Sequence, residues 1–385
     1  MNFQLTEEQR LLVDATRRLT LETLEPILKR HAPDRSLPKQ AMLEIYAALA
    51  EFGVTSMRLP ADRGGAGMAA LDFGLMLEQL PPVVAISLIS HDGSTVRLSA
   101  GASEAVCARY LPDLTAGRKI ACTATSEGGS GSDSNAISTR LTVRGERAII
   151  SGQKLWITNG SICDVMVVAC TTGADDRGRP LNRRVIVDLH EAKNVTIREI
   201  PITGLRQGHL SEVFFDDVEV PVENIVGEPG DAGKYMTLMW NGNRPLLGLI
   251  CAGIASRAYQ IARDHCANRK QFGRPLASMQ LVQQDLSDIE TAVTASRLMC
   301  LSALDALDHG LRGNGTSAMA KRFATSQSLR AVDLSMQLMG ALGTCEEVGL
   351  EQMWRDTRVF QVPDGTNGIL ALIHGREITS TAAFR

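Results

Sequence analysis

Ile150-Ser151-Gly152-Gln153-Lys154-Leu155-Trp156-Ile157-Thr158-Asn159-Gly160 reads as a strand that ends in an Asn-Gly turn. Similar β-branched or alternating stretches surround it at 138–143, 148–150, 165–170, 184–188, 195–200 and 212–220. Turn formers separate them, as in Gly173-Ala174-Asp175-Asp176-Arg177-Gly178. Together they predict a β-domain, a barrel or sandwich, over residues 119–228, closed by Pro221 and the glycine-bearing run 227–233.

On the N-terminal side the pattern is helical. Thr6-Glu7-Glu8-Gln9 forms a capping box ahead of Leu11, Leu12, Ala15 and Leu19. A second helix is expected from about Pro38 to Phe52, and further helical patterns cover 69–100 and 103–116. The elbow Gly64-Gly65-Ala66-Gly67 between them is not a phosphate loop, because no Lys-Ser/Thr follows the glycines. On the C-terminal side, 244–268, 280–310 and 317–341 are each long enough for a bundle helix, and a shorter pattern covers 369–378. The predicted class is therefore α+β, mostly α. It comprises an N-terminal helical domain (1–118), a middle β-domain (119–228) and a C-terminal helical bundle (229–385).

A length of 385 residues implies two or three domains. The net charge of −3, with signs mixed throughout, carries no nucleic-acid footprint. No apolar run in the sequence reaches the ~18 residues of a membrane span. Glu7 and Glu8 precede any apolar segment, unlike a targeting peptide, so a cytoplasmic protein is expected. The eight cysteines form no Cys-x-x-Cys pair and read as inert free thiols. The seven dispersed histidines suggest no metal site.

Four stretches could carry chemistry. In Thr123-Ala124-Thr125-Ser126-Glu127-Gly128-Gly129-Ser130-Gly131-Ser132-Asp133, glycines let backbone N–H groups approach a ligand that Thr125, Ser126 and Ser132 can bond. A plain surface loop has the same composition. Trp156-Ile157-Thr158 could lay an indole and backbone donors along a planar ring, or bury one core Trp. Arg269, at a helix end breaking into Gln271-Phe272-Gly273, could meet a phosphate or simply face solvent. Asp364, between Pro363 and Gly365, sits on a joint between helices, as a general base or an ordinary turn residue would.

Taken in order, these stretches resemble the acyl-CoA dehydrogenase family of flavoenzymes over nearly the whole chain. The resemblance also includes Gly204-Leu205-Arg206, the segment Phe215-Asp216-Asp217-Val218-Glu219-Val220-Pro221, Gln337-x-x-Gly340, Arg355-Asp356 and Asp364-Gly365-Thr366. It implies a β-barrel between a helical domain and a four-helix bundle, a homotetramer, and FAD held between barrel and bundle. Ser126, Trp156 and Thr158 would lie along the isoalloxazine, with Thr125, Gly131, Ser132 and Ile157 as further cofactor contacts. Arg269, Gln271 and Phe272, with Gln337 and Gly340, would hold the adenine end across a subunit boundary, and Gln280 and Ala341 would be further cofactor contacts. Thr366 and Asn367 would meet the cofactor beside the base. Ser132, Asn241, Asn243, Arg244 and Gly365 would contact the acyl-CoA substrate. The implied reaction is α,β-dehydrogenation of the thioester. Asp364 takes the α-proton in an apolar pocket that raises its pKa, and electrons pass to an electron-transfer flavoprotein.

The sequence departs from the family pattern at the base, where Glu is usual. Asp is shorter by roughly 1.3 Å, against a hydrogen-bond reach of about 2.6–3.2 Å. Asn243 occupies the place of an alternative Glu, Pro363 that of an aromatic, Ala341 that of a second Gly, Asn241 that of an Asp, and Ala371 that of an Arg. A bulky or cyclic acyl group is one explanation. Others are a nitroalkane-oxidising relative, a carrier-protein-bound substrate, or a non-catalytic partner subunit in a hetero-oligomer.

Overall fold

The computed structural model describes residues 4–311, 313–381 and 383. The N-terminal region is helical: α1 (Glu7–Leu19), α2 (Glu25–Lys29), α3 (Lys39–Glu51), α4 (Ala70–Leu77), α5 (Pro82–Ser99) and α6 (Glu104–Thr115). The predicted capping box is present, with the Thr6 side chain accepting from Gln9 N–H and the Gln9 side chain from Thr6 N–H. The single pattern read over 69–100 is two helices, because Pro81-Pro82 cannot continue α4 and instead opens α5.

The middle region contains β1 (Ala121–Ala124), β2 (Arg140–Arg144), β3 (Arg147–Thr158), β4 (Val165–Ala174), β5 (Pro180–Asp188), β6 (Val195–Glu199), β7 (Leu210–Pro221) and β8 (Ile225–Val226). Among the described residues they form one eight-stranded sheet in the order β6-β7-β3-β2-β4-β5-β8, with β1 pairing parallel to β4. β1 was read from sequence as the beginning of a loop; it is too short to show a period. Glycine is required at Gly204, where a Cβ would lie 2.4 Å from the Arg355 carbonyl oxygen. Beside it Leu205 N–H donates to the Asp356 carboxylate (2.5 Å). Two separate motifs thus join the sheet to the C-terminal region.

That region holds α7 (Ala232–Asn268), the hairpin strands β9 (Lys270–Gln271) and β10 (Arg274–Pro275), α8 (Gln280–Asp308), α9 (Asn314–Met339), α10 (Leu350–Val359) and α11 (Asn367–Thr379). α7 begins twelve residues before the predicted 244 and runs through Pro245. It contains a window apolar enough to cross a membrane, but 72% of that window is buried inside the protein. It is a core helix, packed on α8 and α9. Of the eight free cysteines, seven are buried and Cys345 is exposed.

Candidate active site

The turn between α10 and α11 places Asp364 in the left-handed region (φ 53°), followed by Gly365 at φ 110°. Backbone groups hold it there. The Arg244 Nε donates to the Asp364 carbonyl (3.0 Å), and the Lys321 ammonium donates to the carbonyls of Pro363 and Gly365, the latter at 2.7 Å. Arg244 is itself oriented by Asn314 (2.9 Å). Among the described residues the Asp364 carboxylate has no hydrogen bond or ion pair, so its lone pairs remain available.

The surroundings are cationic rather than the apolar pocket implied by the family resemblance. Burial pushes the Lys321 ammonium down to about 8 and the Arg97 guanidinium down to about 10, with the Asp364 charge opposing both shifts. Arg244 is lowered for the same reason and opposed by the same charge. Three cations from α5, α7 and α9 therefore act on one carboxylate.

Arg97 connects this turn to the glycine loop, because its Nη1 donates to Thr123 Oγ1 (3.3 Å) at the end of β1. The loop that follows is built on a buried ion pair. Lys154 Nζ lies 2.7 Å from Glu127 Oε1 and also donates to the Thr125 carbonyl (3.0 Å). Glu127 further accepts from the N–H and hydroxyl of both Ser138 and Thr139. Burial works to raise the Glu127 carboxyl, yet the bonds from Lys154, Ser138 and Thr139 outweigh it and hold it at about 2. Glu127 and Lys154 stand in two separate motifs, and nothing local in the sequence signals that they pair.

With the loop pinned, Ser126 O accepts from Leu155 N–H (2.9 Å), joining it to a β-bulge in β3. Trp156 lies in that bulge at φ 64° and is 54% exposed, so it is not a core tryptophan. A bulge re-aims a side chain out of the ladder, which leaves this indole face free. Ile157 is buried and Thr158 half-buried. Ser132 is exposed, and a Cβ on Gly128, Gly129 or Gly131 would meet nothing within 4 Å. Open glycine backbone, hydroxyls and a free indole suit a flat, phosphate-bearing cofactor.

Asn367 donates to Ser326 Oγ (3.0 Å), and its buried Oδ1 has no partner among the described residues. Thr366 caps α11, its hydroxyl accepting from Ile369 N–H. Asn243 is buried and accepts from Arg58 Nη1 (3.0 Å), while the Oδ1 of Asn241 is buried without a partner among the described residues.

The remaining candidates lie at the other end of the bundle. Along α9, Gln337 is about 24 Å from Lys321 at 1.5 Å per residue, and along α7, Arg269 is about 37 Å from Arg244. Gln280, Gln337, Gly340 and Ala341 are exposed there. Arg269 caps α7, and its guanidinium has no partner among the described residues. Phe272 and Gly273 both have positive φ, as a two-residue hairpin turn requires, and Phe272 is 89% exposed. One chain therefore does not bring Arg269, Gln271 and Phe272 to Asp364.

His91 and His209 are structural. His91 Nδ1 accepts from Ala121 N–H (3.0 Å) and its Nε2 faces the Leu114 carbonyl (3.2 Å), while His209 pairs with Glu199 (2.6 Å).

A carboxylate on a turn between bundle helices, a glycine loop with hydroxyls and an uncovered indole together outline a flavin-dependent oxidoreductase. The chain belongs to the acyl-CoA dehydrogenase family, a flavoprotein family acting on CH–CH bonds. It matches the family's N-terminal domain over residues 6–118, its middle domain over 122–218 and its C-terminal domain over 233–379. It is 33% identical to cyclohex-1-ene-1-carbonyl-CoA dehydrogenase of Geobacter metallireducens, covering 97% of this chain and 98% of that one. The enzyme of the same name from Syntrophus aciditrophicus is 31% identical, covering 97% and 91%. Among solved structures, butyryl-CoA dehydrogenase of Megasphaera elsdenii superposes with a TM-score of 0.91 at 25% identity, covering 98% of this chain and all of that one.

Proposed function

We propose that this protein catalyses the α,β-dehydrogenation of an acyl-CoA thioester with Asp364 as the base. The observation that carries this reading is the Asp364 turn. Its backbone is held by Arg244 and Lys321 while its carboxylate has no partner among the described residues. Fixing the main chain and leaving the acid free is what general-base catalysis needs, since position matters to about 1 Å.

The acid takes the α-proton. The Asp364 N–H, which has no partner among the described residues, is available to the thioester oxygen as negative charge develops there. Lys321, Arg244 and Arg97 add a positive field that favours the same charge. The chemistry that bound FAD would supply is acceptance of the β-hydrogen as hydride, with an electron-transfer flavoprotein as the onward electron acceptor. Ser126, Trp156 and Thr158 would hold the FAD ring, and Thr366 and Asn367 would meet it beside the base. Because Arg269, Gln271, Phe272, Gln280, Gln337, Gly340 and Ala341 are too distant in one chain, they serve the adenine end of a neighbour's cofactor in a cytoplasmic homotetramer. Ser132, Asn241 and Gly365 border the substrate. Asn243 acts there through Arg58.

The two cyclohex-1-ene-1-carbonyl-CoA dehydrogenases among the relatives favour a cyclic or branched acyl group over a long straight one. Anaerobic addition of cyclic, branched and straight acyl-CoAs to the purified yellow protein should bleach its flavin band, the cyclic compounds most rapidly. If no thioester changes the spectrum, the proposal fails.

A further inference from the structure

Two arginines, Arg97 and Arg58, keep buried N–H groups that the field on the developing charge does not use. Arg97 is 7% exposed, and among the described residues its Nε is buried without a partner and its guanidinium donates only to Thr123. No carboxylate lies within ion-pair distance of it among the described residues. Arg58 is half satisfied. Its Nε pairs with the buried Asp92 (2.5 Å) and its Nη1 bonds Asn243, but its Nη2 is buried with no partner among the described residues. The two guanidinium edges converge. A Cβ on Gly93 of α5 would lie 3.2 Å from Arg97 Nη1, 3.6 Å from Arg58 Nη2 and 3.4 Å from Met239 Cε of α7. The convergence is tied to the turn, because Arg58 bonds Asn243, whose chain neighbour Arg244 donates to the Asp364 carbonyl, and the Asp364 charge acts on Arg97.

A buried guanidinium with unused N–H groups carries a desolvation cost that only an acceptor can offset. Asp364 cannot be that acceptor and also be the base, since an ion-paired carboxylate is not free to take a proton. A ligand acceptor resolves the conflict. A carboxylate suits it best, because it offers two oxygens to two N–H edges and balances the surplus charge.

We infer that the acyl group of the substrate carries a carboxylate of its own, seated between Arg97 and Arg58. The substrate class is then the mono-CoA thioester of a dicarboxylic acid, open-chain or cyclic. This rests on the dehydrogenase reading but goes beyond it, because nothing in α,β-dehydrogenation requires a charged acyl group.

The test is equilibrium binding by calorimetry to Asp364→Asn protein, which removes turnover from the measurement. Matched pairs differ only in whether methyl or carboxylate ends the chain: pentanoyl-CoA against glutaryl-CoA, and hexanoyl-CoA against adipoyl-CoA. A charge-assisted bond contributes about 1.5–3 kcal/mol, so the carboxylate member should bind about 10- to 150-fold more tightly. Adding Arg97→Gln should bring the ratio toward one, whereas Arg97→Lys should keep part of it and controls for folding. Equal binding within the pairs overturns the inference, as does a preference that survives Arg97→Gln. So does 4-oxopentanoyl-CoA binding as tightly as glutaryl-CoA. The dehydrogenase reading fails separately, if neither member of either pair binds and no thioester bleaches the flavin of the unmutated protein.

Discussion

Glu127 and Asp364 are two acids of the same cleft with opposite fates. The Glu127 carboxylate is surrounded by one ammonium, two hydroxyls and two backbone N–H groups, and every one donates to it. At Asp364 the donors go to backbone carbonyls of the turn, and the carboxylate is left over. An acid whose lone pairs are all engaged is an architectural part, held ionised by its partners. One whose neighbours secure only its main chain can still accept a proton.

The largest effect that would break this contrast is at Asp364. Asp364→Asn should lower the rate of flavin reduction by about 10²- to 10⁴-fold while changing unfolding free energy by less than about 0.5 kcal/mol. Stopped-flow absorbance and chemical denaturation of the same preparation check both halves. Lys154→Met should do the reverse. It strands the Glu127 charge and should cost about 3–5 kcal/mol of stability, seen as a lowered denaturation midpoint.

Lys321→Met should fall between them. Without its ammonium the carbonyls of Pro363 and Gly365 lose their donor, and a shift of about 1 Å in the acid would reduce kcat about 100-fold. Steady-state kinetics with the best acyl-CoA measures this, and the KM should change less than kcat. The smallest effect is one of pH. The Glu127 carboxyl titrates at about 2 in the folded protein, below its ordinary 4.5. Its contribution is thus complete above about 4.5 and fades as pH falls toward 2. The gap in melting temperature between the unmutated protein and Glu127→Gln should therefore narrow between pH 5 and pH 2.5.

The order helix, sheet, helix was legible because it rests on local periodicity, two for strands and about 3.6 for helices. What escaped was either too short, like β1, or non-local. Nothing in the sequence shows that Gly204-Leu205 docks on Arg355-Asp356, or that Arg58 pairs with Asp92 thirty-four residues on. The expectation of an apolar setting for the base came from family resemblance, and the structure replaces it with three cations from three helices.

By itself the sequence determined the types and order of the elements, the glycine loop, the Trp156 indole as a candidate, and the presence of an acid on a Pro-Asp-Gly joint. Those depend on neighbours along the chain, whose geometry is set by backbone sterics and hydrophobic pattern. Only the tertiary structure decided which of two acids is consumed by its partners and which is free. It also decided that two arginines with spare N–H groups meet at Gly93. Charge and hydrogen-bond satisfaction are properties of surroundings assembled from distant segments, and burial makes each unfilled bond there count.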